Sequence, residues 1–208
     1  MTPNHEYCFR LDCSNRANGT ELTLPFWYQD ASGQTAQAEL TLPFCGVDCL
    51  FTFAANQSLI GILEQILNTH WHQRRIHGAQ PTKAPAIQLK DTNGDAVVTK
   101  FIIPTSWTRG GSQAVVELPF SSPEVAASFW QQCDHSYYLL LLYLFEHEKK
   151  NQENKPIPAT INFVVATATG NGDARLAVNF KSLEEAHQRW LANNQDATQL
   201  LLALLPTT

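Results

Sequence analysis

Apolar and polar positions alternate with a period of two at several places along the chain. Tyr7, Phe9 and Leu11 alternate with Cys8, Arg10 and Asp12, which predicts a half-buried strand over Tyr7 to Cys13. Further strands are predicted over Glu21 to Tyr28, Gln37 to Phe44 and, briefly, Leu50 to Phe53. Pro25 suggests an edge or a bulge, because proline cannot donate to a sheet ladder. The period then changes. Leu59, Ile60, Leu63, Ile66 and Leu67 recur at helical steps, with Asn56 or Ser58 able to cap the start and Gly78 able to stop the end.

The second half opens on a predicted hairpin. Ile87 to Lys90 and Ala96 to Ile103 flank an Asn-Gly turn. A strand is predicted over Ala114 to Leu118. Ser122-Pro123-Glu124 is a helix start, and the apolar spacing from Ala126 to Leu144 predicts one long buried helix to about Lys149. The rival is a short helix broken at Asp134-His135-Ser136 and followed by a buried strand. A second hairpin joins Thr160 to Ala168 with Ala174 to Phe180. Ser182 with Glu185 forms a capping box, and the last helix should break near Asn193-Asn194 and restart at Asp196.

These elements imply an α+β fold: a mainly antiparallel sheet built from hairpins, with about three helices packed on it. The polar, proline-containing stretch 78–86 is the best linker. A single domain over 1–208 is expected, with 78–86 as its subdivision if there is one, since the first 80 residues alone would bury a marginal core. One echo stands out. Glu21-Leu-Thr-Leu-Pro-Phe26 recurs as Glu39-Leu-Thr-Leu-Pro-Phe44, and in shorter form as Glu117-Leu-Pro-Phe120. It reads as two similar edge strands ended by prolines; a duplicated binding strand is the alternative.

Composition narrows the class. Of 208 residues, 44% are hydrophobic and 10% aromatic, enough for a core and too many for a disordered chain. A net charge of −5 argues against a general nucleic-acid coat and gives no reason to expect an anionic membrane as partner. No apolar run reaches the roughly 18–20 residues of a membrane span, and the first residues lack the features of a secretory signal. Asn18 and Asn56 match a glycosylation pattern that reads as chance in that setting. With five cysteines, an odd count, reduced thiols in a cytoplasmic protein are the simplest expectation.

Three places carry candidate chemistry. Cys45 and Cys49 have the close spacing of zinc ligands; a structural site would need two more, from His70 and His72 or from Cys8 and Cys13. Plain buried thiols, with no cofactor, are the simpler account, and a labile disulfide between Cys45 and Cys49 is another. His70, Arg74, Arg75 and His77 make a basic helix end. It could bind an anion or RNA, with Trp71 available to stack, or could only complement the helix dipole. Trp107 and Arg109 sit in a glycine-rich loop suited to partner recognition, and the apolar C-terminal segment, including Leu201 and Leu204, is either docked on the core or offered to a partner. Asp91 to Asp95 fails the calcium-loop pattern, and Asp134-His135-Ser136 cannot form a relay among consecutive residues. The expectation is therefore a non-catalytic interaction, adaptor or assembly protein with a protein partner, a homodimer being one form. The alternatives are an anion or RNA binder and a metal- or thiol-dependent enzyme using Cys45 and Cys49.

Overall fold

A computed structural model of the protein describes residues 7–55, 57–78, 85–88, 97–105, 111–151, 156–166 and 172–204. In chain order the elements are β1 (Thr20–Gln29), β2 (Thr35–Phe44), α1 (Val47–Ala54), α2 (Leu59–His77), β3 (Ala86–Gln88), β4 (Val97–Pro104), β5 (Gln113–Phe120), α3 (Pro123–Gln132), α4 (Tyr137–Asn151), β6 (Ala159–Ala166), β7 (Asp173–Phe180), α5 (Leu183–Ala192) and α6 (Ala197–Leu204). The strands form one sheet in the order β3-β4-β5-β2-β1-β6-β7, and every neighbouring pair is antiparallel. The α+β class holds, with six helices among the described residues rather than about three. Strands from both sides of the 78–86 stretch share the sheet.

The chain uses one pattern three times: a hairpin followed by two helices. The first unit is β1-β2-α1-α2, the second β4-β5-α3-α4 and the third β6-β7-α5-α6. Each hairpin has the same register. Phe44, Phe120 and Phe180 end the second strand, opposite Thr20, Val97 and Ala159. All three phenylalanines are buried, as are Leu50, Ala126 and Ala186, each one helical turn past the N-cap of the helix that follows. The interhelical turns of the second and third units match bond for bond. His135 N donates to Trp130 O at 3.2 Å and Gln195 N to Trp190 O at 3.1 Å. Asp134 and His135, like Asn194 and Gln195, adopt left-handed φ values between 49° and 57°, a region that Asn, Asp and His tolerate better than most residues.

The units meet across local two-fold axes. Leu40 lies four residues before Phe44, and Val116 four before Phe120, so they are counterparts; they also face each other where β2 pairs with β5. Leu22 and Ile161 are counterparts in the first strands and face each other where β1 pairs with β6. A residue can pair with its own counterpart only about a two-fold axis. The helices follow the same rule. The second helices of units one and two, α2 and α4, pack together, and so do the first helices of units one and three, α1 and α5. Phe51 of α1 stacks on Trp190 of α5 with centroids 4.7 Å apart and planes 14° apart.

Several local expectations change. Tyr7 to Cys13 is a loop; only Tyr7 bridges, to Arg16. Leu50 to Phe53 lies in α1, because it follows the same strand-to-helix junction as α3 and α5. The long helix is two helices, and Tyr137 to Phe145 is helical, not a strand. The strand pair β1 and β2 is central rather than at an edge. Pro25 and Pro43 are accommodated because they lie two residues past the three-residue ladders that join the hairpins. Where β6 stops pairing with β1, side chains of α4 take over. Glu148 accepts from Trp27 N, His147 Nδ1 bonds Trp27 O at 2.9 Å, and Tyr143 donates to Gln29 O.

His70 is buried, and its Nε2 donates to Pro104 O at 2.7 Å. Burial lowers its pKa despite that bond, so it is neutral at pH 7 in the fold. As pH falls through about 6.5, the unfolded chain takes up the proton first, and stability is lost. Urea midpoints are therefore expected to fall between pH 7.5 and 5.5. The fall should be smaller in His70→Gln, which keeps a donor for Pro104 O; equal slopes would contradict the assignment.

Candidate metal centre

The junction between β2 and α1 differs from its two counterparts. In the second and third units a serine caps the first helix: Ser122 Oγ accepts from Val125 N, and Ser182 Oγ accepts from Glu185 N at 3.0 Å. In the first unit the N-cap is Gly46, with no side-chain cap. Cysteines flank it instead. Cys45 precedes the cap, and Cys49 takes the place of Val125 and Glu185 in the first turn.

The loop over residues 7–16 brings two more thiols to this helix end. It is tied by Cys8 N to Asn15 O at 3.0 Å, by Cys13 N to Arg10 O at 3.0 Å and by Phe9 N to Pro43 O at 2.8 Å. Phe9 is buried and packs edge-on against Phe53 at 5.2 Å and Phe44 at 6.3 Å. This anchoring leaves Cys8 and Cys13 on either side of a turn facing Cys45 and Cys49.

The four sulfurs all lie within 4.8 Å of one another. Cys13 Sγ is 3.6 Å from Cys45 Sγ and 3.8 Å from Cys49 Sγ. Disulfides need about 2.05 Å, so these are separate thiols. A tetrahedron of sulfurs at the usual zinc–sulfur distance of about 2.3 Å has edges of about 3.8 Å, close to these separations. Cys8 is buried and the other three are half-buried.

Electrostatics at the cluster pull in opposite directions. Burial pushes the Cys8 thiol up to about 11, with backbone hydrogen bonds and neighbouring thiols as smaller influences. Burial also raises Cys49, and its sulfur neighbours add to the rise. Cys13 is lowered, chiefly by a backbone N–H of Asn15. Arg10, paired with Asp12 at 2.7 Å, adds positive potential felt at Cys49 and Cys13. The N-terminal turn of α1 favours negative charge as well. Four such thiols cannot ionise together without a cation. A divalent ion supplies that charge and deprotonates the thiols it binds.

Cys45 and Cys49 are thus joined by Cys8 and Cys13, and not by His70, whose ring bonds Pro104 O, or by exposed His72. The signal that singles out Cys8 and Cys13 is their own close spacing, which in the sequence is only an alternative to His70 and His72. Cys133 stands outside the cluster; burial alone pushes it up to about 11. The basic helix end is partly engaged. Arg74 lies over the Tyr138 ring at 5.4 Å, while Arg75 is exposed. The side chain of His77 and the whole of 106–110, with Trp107 and Arg109, lie outside the described residues. Leu201 and Leu204 are half-buried against the core, next to exposed Leu202. Among the described residues no single helix is long and apolar enough to cross a membrane. No protein-family model, no curated protein and no solved structure matches this chain.

Proposed function

We propose that Cys8, Cys13, Cys45 and Cys49 bind one structural zinc ion, and that the protein acts as a non-catalytic interaction module held in shape by it. The observation that carries this reading is the four-thiol cluster, with separations that match a tetrahedral site. A catalytic zinc keeps one position open for water or substrate, whereas four cysteines close the shell. The ion's work is then mechanical. It replaces the serine cap missing from α1 and fastens the 7–16 loop to the sheet. A solvent-open groove beside this loop, lined by Leu11, Gly61, Glu64, Gln65, Asn68 and His72, offers surface to a protein partner. A tetrathiolate centre also fits a reducing, cytoplasmic setting, with Cys133 as the odd thiol.

The test is metal content. Protein purified without chelator is expected to carry about one zinc per chain. Cobalt substitution should give the intense charge-transfer absorption of a thiolate-rich tetrahedral site. Cys49→Ser should lose both, and Cys133→Ser neither. Metal-free protein with all five thiols reactive at similar rates would overturn the reading, as would one with a disulfide within the cluster.

A further inference from the structure

We propose that the outer edge of β7, together with α6, is the contact through which two copies of this chain pair about a two-fold axis at Leu176. The sheet's internal symmetry points to this axis independently of the metal.

Within the chain, second strands meet second strands about an axis at Leu40 and Val116, and second helices α2 and α4 pack together beside them. The third unit contributes a second strand and a second helix without such a mate. Among the described residues β7 is the last strand of the sheet, and its outer edge pairs with nothing. Its counterpart of Leu40 and Val116 is Leu176, four residues before Phe180. Leu40 and Val116 are 0% exposed, whereas Leu176 is 43% exposed.

Leu176 is on the face of the sheet that packs the core, because it stands opposite buried Phe163. Val165 on the same face is 36% exposed. Leu202 on α6 is 62% exposed. The third unit therefore has the apolar pattern of an internal unit without the cover. The edge also lacks a usual defence: Asn179 stands where β2 and β5 have Pro43 and Pro119.

A second copy fits this edge better than an unrelated strand. The hairpins share one register, so the outward N–H and C=O groups of β7 follow the pattern by which β2 and β5 already pair. About an axis at Leu176, Arg175 would face the partner's Ala177, and Asp173 the partner's Asn179. No like charges are opposed. The α6 helices would meet as α2 and α4 do, covering Leu202.

Sedimentation equilibrium on the full chain tests the mass, and cysteine cross-linking tests the axis. The expected result is a species of twice the 23.2 kDa chain mass that Leu176→Glu converts to monomer with unchanged far-UV circular dichroism. Directly opposed residues have Cβ atoms only about 5 Å apart, so Leu176→Cys should cross-link between copies on mild oxidation. Asn179→Cys, three residues off the axis, should not. A monomer at all concentrations up to the hundred-micromolar range would overturn the proposal. So would a dimer indifferent to Leu176→Glu, or equal cross-linking at 176 and 179.

Discussion

Chelating the proposed zinc ion from the Cys8, Cys13, Cys45 and Cys49 cluster is expected to lower the unfolding free energy by about 4 kcal/mol, the linkage contribution of a ligand held at about a thousandfold its dissociation constant. For a chain of this size, about 4 kcal/mol corresponds to a fall in Tm of roughly 10 °C. The loss should not be spread evenly. The 7–16 loop depends on the cluster, on the Phe9 anchor and on a few backbone bonds, so its amides should exchange fastest in the metal-free protein. The β4-β5 hairpin, which is not part of the cluster, should stay protected. Cys13→Ser should reproduce the effect of chelation, and adding chelator to that variant should do little more. Cys133→Ala is the control: it removes a buried sulfur without touching the cluster, at a cost near 1 kcal/mol. Additive losses from chelation and Cys13→Ser would mean that the thiol acts by packing and not as a ligand.

The second large effect concerns the joint between units one and three. Trp190 is 4% exposed and stacks on Phe51, so Trp190→Ala should cost about 3–5 kcal/mol in urea unfolding. Phe51→Ala should cost a similar amount, and the double variant much less than the sum, because both remove one contact. Trp130 holds the same repeat position in α3, and there it packs on Phe101 at 5.2 Å. Its coupling to Phe51 should be near zero, since among the described residues its ring packs on Phe101, His135 and Tyr137 instead. Trp71→Ala on exposed α2 surface should cost under about 1 kcal/mol despite its contact with Tyr138. A Trp190→Ala loss as small as that of Trp71→Ala would show that the ring stack does not hold the units together.

The candidate site shows how far local pattern reaches. Cys45 and Cys49 were legible as a pair because close spacing along a chain constrains distance. Cys8 and Cys13 were legible only as alternatives to His70 and His72. Choosing between them needed the long-range bond from Phe9 N to Pro43 O, which has no periodic signature. The helix break in the third unit was readable from Asn193-Asn194 and the cap at Asp196. In the second unit the same turn is built from Asp134 and His135, which lack glycine or proline, while the apolar spacing runs on across it. The pattern therefore read as one helix.

The chain's own alternation determined the hairpins β1-β2, β3-β4 and β6-β7, because a period of two with a turn between two strands leaves few other ways to bury one face. Side-chain chemistry at Ser58, Ser122 and Ser182 determined where helices begin, because a capping oxygen acts on donors only two or three residues away. Tertiary structure decided the order of the hairpins in the sheet and the true repeat. The sequence echo is fullest between β1 and β2, which are partners within one hairpin, with only a shorter match in β5. The structural repeat instead matches Leu-Pro-Phe at 42–44 to Leu-Pro-Phe at 118–120, and both to Val-Asn-Phe at 178–180. Only the placement of each phenylalanine opposite a strand start reveals this, because in the third unit burial and register have been kept where the residue letters have not.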